Sequence, residues 1–267
     1  MTGQETGFVG RVRQFLTQEG LDADKVKFIH CLIHRENLCA QSVTLNSVMT
    51  VVVRIVNVIR SHALRHRQFQ QFLEDINSDY SDVSYYCQVR WLSRGNMLNR
   101  FFHLRSEIKT FLETQNLQTP ELSSEDWICD LAFLVDLTSY LNSLNLKLQG
   151  KDRLIINMID DLKAFMDKLK LWINQVDKEE VHHFPCLQKI LNDGCKHLLP
   201  KYKTLLEGLL NEFNNRFGEV QFMDHEWRLF SNPFKIHPHD VLHDLQLELI
   251  DLQNSTPLRN SGNLGLK

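Results

Sequence analysis

Two neighbouring apolar stripes at helical spacing constrain the fold of this chain more than any other feature. The first runs from Ser124 to Gly150, with large apolar residues three, four or seven positions apart: Trp127, Leu131, Leu134, Leu141, Leu144 and Leu148. The second runs from Leu154 to Val176 in the same rhythm. Such spacing predicts one apolar face on each of two long helices. Because only a few residues around Gly150 connect them, we expect an antiparallel pair.

Weaker helical patterns cover much of the remaining chain, whereas the strand signal is sparse. Further helices are predicted over residues 5–18, 36–60, 67–77, 96–114, 201–216 and 239–252. KVKFIHCLI, residues 25–33, is predicted to form a strand, and VSYYCQVRW, residues 83–91, is a weaker strand candidate. One or two strands do not make a stable sheet alone. The pattern therefore predicts a mainly α fold with at most a small β element.

Composition excludes several classes of protein. The 267 residues are 43% hydrophobic, enough for a substantial core, and the formal net charge is −3. No global positive field would therefore draw the molecule onto nucleic acid or an anionic membrane. The apolar runs are shorter than a bilayer span, and the N-terminal sequence lacks the pattern of an export signal. We expect an intracellular protein, without a membrane partner, whose six scattered cysteines are reduced.

The pair Cys31 and His34 has the spacing of half a zinc site. A structural zinc ion needs four ligands, and no second pair with similar spacing accompanies this one. Activation of Cys31 by His34 is also disfavoured, because on a continuing strand the two side chains would face opposite sides. Gly-rich phosphate loops and paired catalytic carboxylates are absent as well. We predict no metal, no cofactor, no small-molecule substrate and no enzymatic activity.

A local surplus of cations occurs between residues 54 and 109. The cations of this segment are Arg54, Arg60, Arg65, Arg67, Arg90, Arg94, Arg100, Arg105 and Lys109, and aromatic residues lie among them. Cations interleaved with aromatic side chains are typical of surfaces that contact phosphates and stack on bases. An ordinary solvated helix face above an aromatic core gives the same pattern. Both interpretations remain open at this level.

Several motifs together resemble vertebrate proteins derived from hAT-superfamily DNA transposases. They are FIHCLIHRENLCA, IVNVIRSHALRHRQFQQFLEDI, VRWLSRGNMLNRFFHLRSEIKTFL and LNSLNLKLQGKD. The likeness extends over residues 1–259 and is strongest to the transposase-like half of the general transcription factor II-I repeat domain-containing proteins. Related BED zinc-finger and SCAN domain-containing proteins share these motifs.

This resemblance implies an RNase H-like core interrupted by a long helical insertion. We therefore expect a mainly α chain in which a helical insertion domain is attached to a partial RNase H-like α/β core of one or two strands. Residues 1–35 would be the remnant of that core, residues 36–253 the insertion domain, and residues 254–267 a disordered tail. The three carboxylates that bind two metal ions in the family would all lie outside this chain, so strand cleavage should be abolished.

The resemblance also implies a function and the residues that carry it. We expect a catalytically inactive, nuclear, DNA- or chromatin-associated module with a role in transcription. By resemblance, its DNA-contacting residues are Cys31, His34, Arg90, Trp91 and Arg94. In active relatives the tryptophan of the Arg-Trp pair stacks on a flipped base. The alternative is a helical scaffold for protein interaction or self-association, built on the paired helices of residues 124–176, without nucleic-acid binding.

Overall fold

The computed structural model describes residues 7–23, 26, 28–43, 45–84, 91–150, 153–222 and 229–258. Within these ranges the regular secondary structure is helical and no strand occurs. The α-helices are α1 (Phe8–Gln18), α2 (Leu32–Ser42), α3 (Asn46–Arg60), α4 (Ala63–Asp75), α5 (Trp91–His103), α6 (Arg105–Thr114), α7 (Glu125–Leu148), α8 (Ile155–Asp177), α9 (Pro185–Ile190), α10 (Leu199–Phe222) and α11 (Gln246–Asn254). Short 3₁₀ turns lie at Pro120–Ser123 and Asp193–Leu198, and three more precede α11.

Helix α7 lies at the centre of the molecule. It begins where predicted, because the Ser124 hydroxyl accepts a hydrogen bond from the Trp127 amide at 3.4 Å. Over residues 129–138 its buried residues surround the helix, and α2, α3, α5, α8 and α9 all contact it. A helix that is apolar all round belongs in a core. The predicted pair is confirmed: α7 and α8 pack together, and residues 149–154 connect them.

Helix α10 closes the core from the other side by packing along α8 and α2. The ring of Tyr202 on α10 stacks on Phe133 of α7, with centroids 4.3 Å apart. Phe213 lies against Phe165 of α8 at 5.2 Å. These aromatic contacts join α7, α8 and α10 into one hydrophobic core.

The predicted strand over residues 25–33 is wrong. Residues 28–31 are irregular, and α2 begins at Leu32 with Cys31 as its N-cap. The helix places Leu32, Cys39 and Ala40 in the core, where α2 contacts α7 and α10. Intrinsic strand preference amounts to about 1 kcal/mol or less per residue, and packing overrides it here. In the second candidate strand, residues 83 and 84 are irregular, Trp91 begins α5, and residues 85–90 lie outside the described residues.

Two predicted long helices are each divided in two. The predicted helix over 36–60 is interrupted between Ser42 and Asn46, and the helix over 96–114 is interrupted at Leu104. Helices α2 and α3 meet at 94°. No proline or glycine marks either break. The predicted domain boundary between residues 35 and 36 falls inside α2, and residues 259–267 of the predicted tail lie outside the described residues.

No single helix of the described ranges is long and apolar enough to cross a membrane. Among the helices that the structure describes, only α2 and α3 taken together reach the required length and composition. Their apolar side chains, such as Val52 and Ile55, are buried in the hydrophobic core.

Candidate nucleic-acid interface

A polar groove lies between α3 and α5, at the C-terminal end of α2. Its volume is about 440 Å³. It is lined by Gln41, Val43, Asn46, Met49, Thr50, Val53, Arg54, Asn57 and Arg94. Two guanidinium groups, three amides and a hydroxyl therefore surround a small apolar floor, and none of these described lining residues carries a carboxylate. We call this site the α3–α5 groove.

One face of α3 forms the long wall of the groove. Asn46, Thr50, Val53 and Asn57 are spaced four, three and four residues apart, so they form a line along one side of the helix. Valines and isoleucines of α3 occupy the opposite face and are buried in the core. Because the core fixes that apolar face, the polar line of α3 faces outward at a defined position.

Arg94 enters the groove from α5, which packs closely against α7. Gly95 is buried at this contact, where an added Cβ atom would lie 2.3 Å from Nδ2 of Asn142 on α7. Met97, Leu98 and Phe101 of α5 are also buried. The glycine therefore permits the close approach of the two helices, and this approach fixes Arg94 beside the groove.

The Arg54 side chain at the groove also forms an ion pair. Its Nη2 atom lies 2.7 Å from Oε1 of Glu121, and the Arg54 side chain remains 47% exposed. The other carboxylate oxygen of Glu121 is buried without a hydrogen-bond partner. A polyanion that binds in the α3–α5 groove would compete with Glu121 for Arg54.

Most other cations of the basic segment are also engaged, which the charge count did not predict. Arg60 and His66 each place a nitrogen 2.8 Å from Oδ2 of Asp82. Arg100 lies over the Tyr80 ring, and Arg105 lies over the Phe102 ring. Arg65 and Arg67 donate to backbone carbonyls of α3 and α4. The surplus of cations over residues 54–109 is therefore not one continuous basic surface.

The residues predicted to contact DNA are not all gathered in one place. Cys31 and His34 are exposed and share the first turn of α2, so they lie on one face rather than on opposite sides. Gln41, at the other end of α2, reaches the groove, so about 15 Å of helix separates it from Cys31. Arg94 lines the groove itself. Trp91 begins α5, but its side chain and all of Arg90 lie outside the described residues.

The described residues contain no group of three or more histidine, cysteine, aspartate or glutamate side chains that could hold a metal ion. Within the ranges that the structure describes, the residues therefore do not fit the two-metal centre that the transposase resemblance implies for the family. The five described cysteines are free thiols.

A buried carboxyl group that the sequence analysis missed lies beneath α2. Glu36 is fully buried, and one of its oxygens accepts a hydrogen bond of 2.5 Å from Nδ2 of Asn145 on α7. The other oxygen, Oε1, has no partner. Burial raises the pKa of Glu36 to about 7, although the hydrogen bond from Asn145 opposes the shift. Once the helix start at Leu32 is known, the spacing of Leu32, Glu36 and Ala40 identifies this buried position.

Comparison with known proteins places these features in a family. The FAM200/GTF2IRD2 helical domain matches residues 30–177, which is more than half of the chain and spans α2 to α8. General transcription factor II-I repeat domain-containing protein 2 of Bos taurus is 40% identical over 234 residues, covering 88% of this chain and 24% of that protein. The Mus musculus protein of the same name is 38% identical over 262 residues, covering 97% and 27%. The chain thus spans about a quarter of the length of these relatives.

No solved structure matches the chain. The resemblance to the general transcription factor II-I repeat domain-containing proteins is confirmed, whereas the hAT origin and the relation to BED zinc-finger and SCAN domain proteins stay predictions. The match covers the α3–α5 groove and the whole of α7 and α8. The chain therefore belongs to the FAM200/GTF2IRD2 helical-domain family.

Proposed function

We propose that this chain is a nuclear DNA- or chromatin-associated module, derived from a hAT transposase and without strand-cleaving activity. The names of the relatives support a role in transcription, because both are called general transcription factor II-I repeat domain-containing proteins. The same names are the support for the proposed nuclear location.

The α3–α5 groove is the observation that carries the proposal. Arg54 and Arg94 supply two cationic groups for phosphate oxygens, and the amides of Asn46 and Asn57 supply donors and acceptors for sugars or base edges. Met49 and Val53 offer an apolar floor that tolerates the face of a base. None of the described lining residues carries a carboxylate, and the charge of the neighbouring Glu121 is paired with Arg54, so like-charge repulsion toward a phosphate backbone is limited.

Many cations of residues 54–109 form contacts within the chain, which limits how strongly the chain can bind. If only Arg54 and Arg94 each neutralise one phosphate of duplex DNA, the plot of log affinity against log salt has a slope of about −2. Additional contacts from Cys31, His34, Arg90 and Trp91, which the transposase resemblance implies, would add affinity outside the groove. We therefore propose weak, local and sequence-tolerant binding.

Strand cleavage is not part of the proposed function. Two-metal phosphoryl transfer requires several carboxylates that converge on the metal ions. The part of the chain that the structure describes brings no such group together. A purified chain that cleaves DNA in the presence of magnesium or manganese would overturn this part of the proposal.

Fluorescence anisotropy with labelled duplex and single-stranded DNA, measured over a salt series, tests the proposal. Arg94→Ala and Arg54→Ala should each weaken binding about five- to tenfold and make the salt slope shallower by about one. Arg90→Ala and Trp91→Ala test the contacts implied by resemblance. Lys168→Ala on the exposed face of α8 is the matched control and should change nothing. Binding that is absent at low salt, or equally weakened by the control, contradicts the proposal.

A protein-interaction scaffold is the second candidate function. Apolar side chains remain exposed on the α7–α8 pair: Leu146 is 62% exposed, Leu154 43% and Leu171 48%. Exposed apolar side chains at these positions favour contact between this helix pair and a partner protein. Leu146→Ser and Leu171→Ser would abolish such an interaction without affecting DNA affinity, which separates the two functions.

A further inference from the structure

Helix α1 presents an exposed apolar strip with a positive charge at its edge. The side chains of Phe8 and Phe15, two helical turns apart on one side of α1, are 68% and 59% exposed. Arg11 lies between them in the sequence and is also exposed. The helix contains two arginines and no acidic residue. We call Phe8, Arg11 and Phe15 the α1 strip.

Helix α11 presents a second exposed apolar strip, and its charge has the opposite sign. Leu247 is 73% exposed and Ile250 41%, and their spacing of three residues places both on the outer face of α11. Exposed Glu248 and Asp251 border them. The segment 229–258 carries four acidic residues and one lysine. We call Leu247, Glu248, Ile250 and Asp251 the α11 strip.

The α11 strip is held in a fixed orientation relative to the segment that precedes it. Nε2 of Gln253 donates to the carbonyl oxygens of Pro233 and Ile236 at 2.7 and 2.8 Å, so the inner face of α11 is tied to the preceding turn. Leu249 on the same inner face is 3% exposed. Because these contacts anchor one side of α11, its opposite side faces outward before any partner arrives, and little ordering entropy opposes docking.

We propose that the α1 strip of one copy of this chain docks on the α11 strip of a second copy. Phe8 and Phe15 would cover Leu247 and Ile250, while Arg11 would lie against Glu248 and Asp251. The α1 strip extends about 10 Å along its helix and the α11 strip about 6 Å, so the apolar residues of the α11 strip fit within the length of the α1 strip. The charges are complementary across the contact and alike within each strip, which favours pairing of α1 with α11 over pairing of either helix with itself.

The size of the contact determines the form of the assembly. A single docking of two short helices buries less than the roughly 1,200 Å² typical of stable interfaces. Two copies that exchange the contact reciprocally bury twice as much and close a two-fold dimer. We therefore expect a dimer with a dissociation constant on the order of 10 μM.

Sedimentation velocity over a micromolar concentration series, combined with charge reversal, tests this dimer. Arg11→Glu should raise the dissociation constant of the dimer about tenfold, and so should the double change Glu248→Lys with Asp251→Lys. A chain that carries both sets of changes should recover dimerisation, because the charges again match across the contact. All of these residues are exposed, so the fold should not change. Circular dichroism of each variant checks this point.

Charge reversals outside the two strips serve as controls for this experiment. Lys168→Glu and Asp160→Lys reverse exposed charges on α8, outside both strips. Both changes should leave the dissociation constant of the dimer unchanged. A chain that stays monomeric throughout the series overturns the proposal, as intramolecular docking or an unrelated partner would leave it monomeric. A dissociation constant that does not change on charge reversal overturns the proposal as well. So does a combined variant that fails to recover dimerisation. DNA binding is measured separately, so its failure does not affect this result.

Discussion

Carboxylates anchor neighbouring elements in two regions of this molecule, but their surroundings differ. On the α7 side, Asp136 is 4% exposed and accepts hydrogen bonds from the amides of Cys186 and Leu187, at the start of α9. On the α3–α5 side, the side chains of Asp82 and Glu121 are 18% and 29% exposed, and both bind arginine. Buried carboxylates should mainly determine folding stability, whereas partly exposed ones should mainly regulate which cations are available to a ligand.

The largest effect should follow removal of the buried anchor. Asp136→Ala leaves the amides of Cys186 and Leu187 without their acceptor inside the core, which should cost about 3 to 4 kcal/mol of the free energy of unfolding. Urea denaturation followed by circular dichroism measures this loss. Asp160→Ala on the exposed face of α8 is the control. If the free energy of unfolding fell by less than about 1 kcal/mol, the buried carboxylate would contribute no more to stability than the partly exposed ones.

The buried Glu36 should make the stability of the α7 side depend on pH. Its pKa in the folded chain is about 7, above the ordinary value of 4.5, so the folded state binds more protons between these values. Stability from this group is fully present below about pH 4.5 and is lost as pH rises through 7, by up to about 3 kcal/mol.

Glu36→Gln should flatten this pH dependence, because the amide stays neutral at every pH. Nδ2 of Asn145 can still donate to the amide oxygen at position 36, so packing is retained. Urea denaturation at several values from about pH 5 to about pH 8 should show that the free energy of unfolding of the variant increases relative to that of the natural chain as pH rises. Parallel curves for the two proteins would show that Glu36 is not the group responsible.

Loss of the exposed anchor Asp82 should have a smaller effect that depends on salt. Asp82→Asn weakens the contacts to Arg60 and His66, which are partly exposed, and should cost about 1 kcal/mol. Because salt screens such pairs, the difference from the natural chain should shrink in about 1 M NaCl. A loss of unfolding free energy as large as that of Asp136→Ala, and insensitive to salt, would show that Asp82 acts like a buried carboxylate and would contradict this prediction.

The smallest effect on stability, with a functional effect instead, is expected at Glu121. Glu121→Gln removes the charge that pairs with Arg54 and should change the free energy of unfolding by less than about 0.5 kcal/mol. It should strengthen DNA binding about two- to threefold, because Arg54 no longer has to exchange one anion for another. Anisotropy in low and moderate salt measures this gain, and weaker binding by the variant would contradict it.

The sequence predicted the central helices well because their signals are local and redundant. Helix α7 was identified from its apolar spacing together with Ser124, and α8 from a stripe of similar strength. The boundary of α2 was missed for the opposite reason. Residues 25–33 carry a local strand preference, and only contacts with α7 and α10, distant in the sequence, favour the helix that begins at Leu32.

The candidate site was predictable only in part. Resemblance indicated Arg94, but the partners of Arg94 in the groove come from the end of α2 and from α3, far earlier in the chain. The charge count over residues 54–109 also could not show that Asp82 and Glu121 neutralise several of the cations. Pairing across an assembled surface depends on tertiary geometry, which composition does not contain.

The Asp136 contact has a consequence for any shortened version of this protein. The region matched by the family model ends at Asp177. Asp136, within that region, accepts hydrogen bonds from the amides of Cys186 and Leu187, which lie beyond it. The largely buried Asp130 likewise pairs with Lys201. A polypeptide cut at the edge of the match would lose these partners together with α10, which covers α2 and α8. The packed core is thus longer than the region that the family model matches. Laboratory expression should extend at least through α10 to avoid an aggregating product.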